Sequence, residues 1–246
     1  MNICFKICYL GSNYHGFQKQ KEKISIQGVI EDVFYKIFKI KVNIIGCSRT
    51  DAGVHAKEFY FNIHLDNFRV SCVNIKNALN TYLPYDIRIL DVFYVDEKFH
   101  SRYDALKKEY EYKIFNGDVM DPFKYQYYMH FRYELDFTSM YKACKYFEGE
   151  HDFRAFMSSN SSIKNTIRII FKSSIYKEDN IIIYNILGNG FLYNMVRIIV
   201  GTLIMVGQGK IESQDIQHII KSRNRNKAGF VSEAKGLCLK KVFYEN

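Results

Sequence analysis

Gly46-Cys47-Ser48-Arg49-Thr50-Asp51-Ala52-Gly53-Val54-His55-Ala56 sets one carboxylate, Asp51, between a cation and a glycine. The segment is too polar and too Gly-punctuated for the interior of an element. Just beyond it, Phe59, Phe61, Ile63 and Leu65 alternate as the residues of a strand do. A lone acid on a tight loop at a sheet edge is placed to serve as a nucleophile or base. The same residues also make an ordinary turn, where Asp and Gly are common. Local sequence leaves both readings open.

Upstream, Ile3, Phe5, Ile7 and Tyr9 alternate, which predicts a strand over about 2–10. A polar turn, Gly11 to Gly16, comes next. Ile26, Val29, Ile30, Val33, Phe34 and Ile37 then fall on helical spacing, with Ser25 placed to cap. Downstream, a helix over about Val73–Tyr82 ends at Leu83-Pro84. Strand-like runs lie at Ile87–Tyr94 and Glu109–Phe115. Pro122 and the tyrosine-rich stretch Tyr125–Tyr133 suggest an irregular connection. In the second half, Thr138 is placed to cap a helix carrying Met140, Ala143, Cys144 and Phe147 on one face. Strands are expected near Thr166–Tyr176 and Asn180–Leu187. A long apolar helix is expected over about Phe191–Val206, ended by Gly207. A shorter helix comes after Ser213, with Asp215 in its first turn. Leu237, Leu239, Lys241 and Phe243 give a closing strand. The mixture, with long connections and possible hairpins, favours an α+β fold over a doubly wound parallel sheet. The halves look like two similar lobes, residues 1–105 and 106–246.

The 246 residues are 48% hydrophobic and 25% charged, the balance of a folded chain with an ordinary core. The formal net charge of +9 suits a polyanionic partner, most simply nucleic acid. None of the six cysteines forms a Cys-x-x-Cys pair, which points to a reducing compartment and away from a zinc site. Met1 leads straight into the first strand pattern with no signal peptide. The apolar run Ile198–Val206 is too short to span a bilayer. A soluble cytoplasmic protein is therefore expected, without a membrane partner.

The segment around Asp51 resembles the catalytic motif of TruA-type tRNA pseudouridine synthases. The likeness runs along nearly the whole chain in order. Tyr9 to Gln20 and Ser25 to Glu31 resemble the family's first strand, loop and helix. Asn77-Ala78-Leu79-Asn80 and Leu83-Pro84-Tyr85-Asp86-Ile87 resemble its second helix. Phe99-His100-Ser101-Arg102 and Glu109-Tyr110-Glu111-Tyr112 resemble the passage into the second lobe. Glu148 to Phe153, Lys164 to Arg168, and Asn189 to Arg197 complete the match.

The resemblance implies a mixed, mostly antiparallel central sheet from two related lobes, with helices on the outer faces. It implies isomerisation of uridine to pseudouridine at positions 38–40 of the tRNA anticodon stem-loop, by a homodimer, without cofactor or metal. It makes Asp51 the catalytic acid and Arg197 its ion-pair partner. A guanidinium at short range keeps a carboxylate charged. It makes Tyr110 the ring that stacks on the flipped uracil, and Arg49 the side chain that fills or supports the vacated space. His55, Arg102, Lys164 and Arg168 are expected to contact the RNA. Lys107, Lys108 and the Arg223–Lys227 cluster are further candidates for phosphate contacts. His15, His55, His100 and His151 lack compact metal-ligand spacing. They are expected to make structural hydrogen bonds or RNA contacts. Phe17, Glu58, Phe59, Glu109 and Asn194 depart from residues common in the family. They bear on which tRNA position is chosen more than on the chemistry.

Overall fold

The first strand, β1 (Asn2–Tyr9), lies between two antiparallel neighbours, β3 (His55–His64) and β4 (Ile87–Val95). This is a computed structural model, and it describes residues 1–159 and 163–245. The strand alternation holds because its apolar positions are core positions. Ile3, Phe5 and Ile7 are fully buried, and Phe5 stacks on Phe61 of β3 at 4.6 Å. Ser25 caps α1 (Ile26–Phe38) by accepting the Gly28 N–H, and Ile26, Ile30 and Phe34 face inward. A two-residue strand, β2 (Ile45–Gly46), pairs with β3 immediately before the Asp51 segment. α2 (Cys72–Tyr82) stops at Leu83, which is extended as a residue before proline must be. The Asn80 amide bridges both the N–H and the C=O of Ile89, fixing α2 to β4.

A buried polar knot holds the segment from Phe99 to Arg102. The Asn62 Oδ1 accepts from both the N–H and the hydroxyl of Ser101, at 3.0 and 2.7 Å. Asn62 also donates to Asn2, whose amide reaches the carbonyls of Asp96 and Phe99. The Tyr244 hydroxyl donates to the Ser101 carbonyl. Every one of these buried groups has a partner, as burial requires.

Farther along the chain, β5 (Lys107–Asn116) pairs with β9 (Ile181–Gly188), β9 with β8 (Ile167–Glu178), and β8 with β7 (Gly149–Asp152), all antiparallel. The tyrosine-rich stretch is not wholly irregular. It contains β6 (Met129–Phe131), which pairs parallel with the end of β5. Three residues are too few to show alternation. α3 (Phe137–Cys144) is capped by Asp136, not Thr138. The Asp136 carboxylate accepts the Ser139 N–H, while Thr138 sits inside the first turn. The apolar helix α4 (Met195–Gly207) begins later than its hydrophobicity suggests. Asn194 takes the left-handed conformation (φ 60°) and separates the turn at Leu192 from the helix. Gly207 is its last residue rather than its stop. The shorter helix, α5, covers Asp215–Ser222. β10 (Leu237–Phe243) closes the chain and pairs parallel with β3, Cys238 opposite His55.

The chain divides into two compact units, Met1–Leu106 with Cys238–Asn246, and Lys107–Leu237. The sequence division carried the second lobe to residue 246, whereas its closing strand groups with the first unit because β3 supplies its ladder partner. The fold is α+β, with mixed, mostly antiparallel strand pairing and helices packed against it. All six cysteines are thiols outside any disulfide. Among the described residues, no helix is long and apolar enough to cross a membrane.

Asp152 gives the fold an acid-sensitive joint. Its burial opposes the charge, but the Thr166 hydroxyl, the Arg154 N–H and the Arg223 guanidinium outweigh it and hold the carboxyl below its ordinary 3.8. The folded state thus binds this proton less readily than the unfolded chain. The stabilisation is present above 3.8 and is lost as pH falls through 3.8 towards the lower folded value. Asp152→Asn is expected to shallow the acid limb of a stability-against-pH curve from urea titrations.

Candidate active site

Asp51 sits half-exposed in the loop between β2 and β3. That loop is bound to the chain between β1 and α1. The Tyr9 hydroxyl and the Thr50 hydroxyl share a buried hydrogen bond of 2.8 Å. The Phe17 N–H donates to the Thr50 carbonyl, and the Gly53 N–H to the Tyr14 carbonyl. The Val54 N–H closes a turn onto the Asp51 carbonyl at 3.1 Å. The Gly11 N–H donates to His55 Nδ1 at 3.0 Å. Two glycines permit this closeness. A Cβ on Gly11 would lie 2.0 Å from the Val54 carbonyl oxygen, and one on Gly16 would lie 2.4 Å from that of Thr50. Gly53 supplies the positive φ of 81° that turns the chain after Asp51. Phe17 stacks on Phe59 at 4.1 Å, filling the space beneath.

The N-terminal loop is itself anchored. The Asp86 carbonyl accepts the Leu10 N–H, and its carboxylate accepts from the Tyr14 hydroxyl at 2.5 Å and from the Asn13 amide. Burial first, and then the Asp86 carboxylate, push the Tyr14 hydroxyl pKa upward, so it remains a donor at neutral pH. Asp51 is therefore carried on a doubly supported loop, the pre-organisation a reacting carboxylate needs.

In the second unit, Tyr110 lies on β5 opposite Ile186 and is buried, with Phe191 packed edge-on at 5.1 Å. Arg197 stands in the first turn of α4. Its Nε donates to the Ser232 carbonyl at 2.7 Å and its Nη1 to Asn194 Oδ1 at 2.9 Å. Ser232 returns two bonds to the Arg197 carbonyl, from its hydroxyl and its N–H. The Asn194 amide nitrogen donates to the Ser158 hydroxyl at 2.9 Å. Asn194 thus combines a left-handed backbone, which Asn tolerates, with a side chain that bridges Ser158 and Arg197. Asn194→Ala is expected to cost about 2–3 kcal/mol in urea denaturation, from two lost hydrogen bonds and left-handed strain. Asn194→Gly, which loses the bonds but not the conformation, should lose about 1 kcal/mol less.

The remaining expected site residues fall in varied surroundings. Arg49, Arg102 and Lys164 are exposed. Arg102 lies in the turn held by His100, whose Nδ1 accepts the N–H groups of Arg102 and Tyr103. Arg168 is half-buried beside Gly190 and donates to the carbonyls of Asn165 and Ile167, in the same segment as Lys164. His55 is buried and holds the Gly11 turn, a structural task. His151 Nε2 pairs with the Glu148 carbonyl. Among the described residues, no group of three or more His, Cys, Asp or Glu side chains could hold a metal ion. Reading the sequence did not single out Thr50, Ser158 or Ser232 as supports. Their partners lie tens of residues away, beyond the reach of local pattern.

A family model described as tRNA pseudouridine synthase matches residues 7–104 and 143–245. Curated relatives match end to end. The chain is 46% identical to "tRNA pseudouridine synthase A" of Clostridium kluyveri over 99% of both chains. It is 44% identical to "tRNA pseudouridine synthase A 2" of Clostridium tetani, over 99% of this chain and 98% of that one. It is 45% identical to "tRNA pseudouridine synthase A" of Acetivibrio thermocellus, over 99% of both. With matches of this extent along the whole chain, it belongs to the tRNA pseudouridine synthases, isomerases that act on uridine in tRNA.

Proposed function

We propose that this chain converts uridine to pseudouridine at positions 38–40 of the tRNA anticodon stem-loop, with Asp51 as the reacting carboxylate. The observation that carries this reading is the Asp51 loop, whose main chain is tied to Phe17 and Tyr14 and whose Thr50 hydroxyl is tied to Tyr9, while the Asp51 residue stays half-exposed. The target base leaves the stack, at a cost of a few kcal/mol. Asp51 then adds to the sugar or base, or takes a sugar proton. The C1′–N1 bond breaks, the uracil turns, and C5 bonds to C1′. C5 gives up its proton and N1 ends protonated, so the product is an isomer and no oxidant or reductant is consumed. Arg197 serves as the counter-ion that keeps Asp51 charged. Tyr110 stacks on the uracil, a contact worth about 1–3 kcal/mol. Arg49 supports the emptied stack, and Arg102, Lys164 and Arg168 meet the backbone. The protein acts as a cytoplasmic homodimer and requires no metal or cofactor.

The deciding experiment uses unmodified tRNA transcripts that each carry one uridine, at position 38, 39 or 40, with EDTA present. Product is mapped by carbodiimide, since isomerisation leaves mass unchanged. Pseudouridine at one or more of these positions is expected. Modification elsewhere in the tRNA, with these three untouched, would overturn the position assignment.

A further inference from the structure

A hollow of about 480 Å³ opens on the second unit, lined by Ser158, Ser159, Arg225, Asn226, Gly229 and Phe230 among others. We infer that it is a subsite for one nucleotide of the RNA chain outside the reacting uridine, with its phosphate on Arg225 and its base against Phe230. The proposal rests on the reading of the chain as a tRNA-modifying enzyme.

The charge of the hollow points to an anion. Among the described residues of its lining Arg225 is the one ionisable side chain, so no carboxylate among them competes for the guanidinium. Nearby, Arg223 is already paired with Asp152 at 2.9 Å, whereas the Arg225 guanidinium makes one hydrogen bond among the described residues, to the Ala228 carbonyl. A guanidinium has five N–H donors. One contact orients this fork and leaves the others for phosphate oxygens, which it suits bidentately. The hollow's size is that of a small-molecule site and exceeds what a bare phosphate fills. Phe230 is 41% exposed, an aromatic face of the kind on which bases stack. The Ser158 and Asn226 side chains offer hydrogen bonds to sugar or base.

The floor is rigid, which lowers the ordering cost of binding. The Gly229 N–H donates to the Thr202 hydroxyl at 2.8 Å, and a Cβ on Gly201 would lie 2.0 Å from the Phe230 carbonyl oxygen. The segment therefore lies directly on α4. The wall is also shared with the Arg197 network, because the Ser158 hydroxyl accepts from Asn194, which accepts from Arg197. A nucleotide seated here would be held against the same framework that orients Arg197.

The test is equilibrium binding of a tRNA transcript across a potassium chloride series, by filter binding, for wild type, Arg225→Gln, Arg225→Lys and Phe230→Ala. Arg225→Gln is expected to weaken binding about tenfold and to lower the slope of log affinity against log salt by about one. Arg225→Lys keeps that slope. Phe230→Ala weakens binding about fivefold or more with the slope unchanged. Thermal melts check that each variant is folded. Wild-type affinity and slope in both Arg225→Gln and Phe230→Ala would overturn the subsite. Titration with uridine 5′-monophosphate separates a chain phosphate from a free nucleotide. Tight monophosphate binding lost in Arg225→Gln, with the tRNA slope intact, would also overturn it. Since binding is read directly, a wild type inactive at positions 38–40 would count against the proposed reaction and leave this test decisive.

Discussion

Asp51→Asn is expected to lower the rate of pseudouridine formation at least about 10³-fold while tRNA affinity stays within about twofold. The substitution keeps the shape of the side chain and removes its charge. An amide cannot add to C1′ or C6 as a carboxylate does, nor accept a sugar proton, so all three routes open to Asp51 close together. The described supports of the loop run through its main chain and its neighbours. They are the Val54 N–H on the Asp51 carbonyl, the Phe17 N–H on the Thr50 carbonyl, and the bond between the Tyr9 and Thr50 hydroxyls. These bonds do not use the Asp51 carboxylate, and an amide of the same shape leaves them in place, so they should survive the change. Single-turnover time courses give the rate and filter binding gives the affinity. A variant that retains a tenth of wild-type rate would remove Asp51 from the chemistry, whatever its affinity. Loss of both rate and affinity would mean instead that the carboxylate holds the RNA-binding surface.

Where a feature is set by neighbours along the chain, the sequence showed it. Ile3, Phe5 and Ile7 alternate because β1 has a buried face, and Ser25 caps α1 because a hydroxyl at that spacing reaches the Gly28 N–H. Errors arose where two local signals compete. Asp136 and Thr138 could each begin α3, and the carboxylate wins by accepting from Ser139. Phe191 and Leu192 are apolar enough to join α4, but the left-handed Asn194 holds them in a separate turn. At the candidate site, Asp51, Arg197 and Tyr110 are proposed through their motifs alone. Their supports were not legible, because the Tyr9–Thr50 bond spans 41 residues and the Ser158–Asn194 bond 36. Asn194 is the instructive case. Its departure from the residue common in the family bears on which tRNA position is chosen, yet it meets a backbone requirement and orients Arg197.

Gly16→Ala should be the most damaging small substitution near the site, because it breaks two physical requirements at once. Gly16 has φ +86°, a conformation that costs an L side chain about 1–2 kcal/mol. Its new Cβ would also lie 2.4 Å from the Thr50 carbonyl oxygen, a main-chain atom that cannot swing aside. Relief of such overpacking by backbone shifts typically costs about 1–3 kcal/mol more. A total loss of about 3–4 kcal/mol is therefore expected in urea denaturation, a large share of the roughly 5–15 kcal/mol that holds a native protein. The shift needed to relieve the clash would displace Thr50, the residue before Asp51, so catalysis should suffer in whatever fraction stays folded. Misplacement of a reacting group by about 1 Å can cost about 10²-fold in rate. Two other glycines separate the contributions. Gly209 shares the positive φ, at +70°, but has nothing within 4 Å of a Cβ, so Gly209→Ala should cost only about 1–2 kcal/mol and leave the rate alone. Gly11→Ala meets the Val54 carbonyl oxygen at 2.0 Å and presses on the other side of the same loop, so both stability and rate should fall. If Gly16→Ala proves no more harmful than Gly209→Ala in either measurement, the loop between β1 and α1 does not position Asp51. The contacts of Tyr14 and Phe17 would then be incidental to the chemistry.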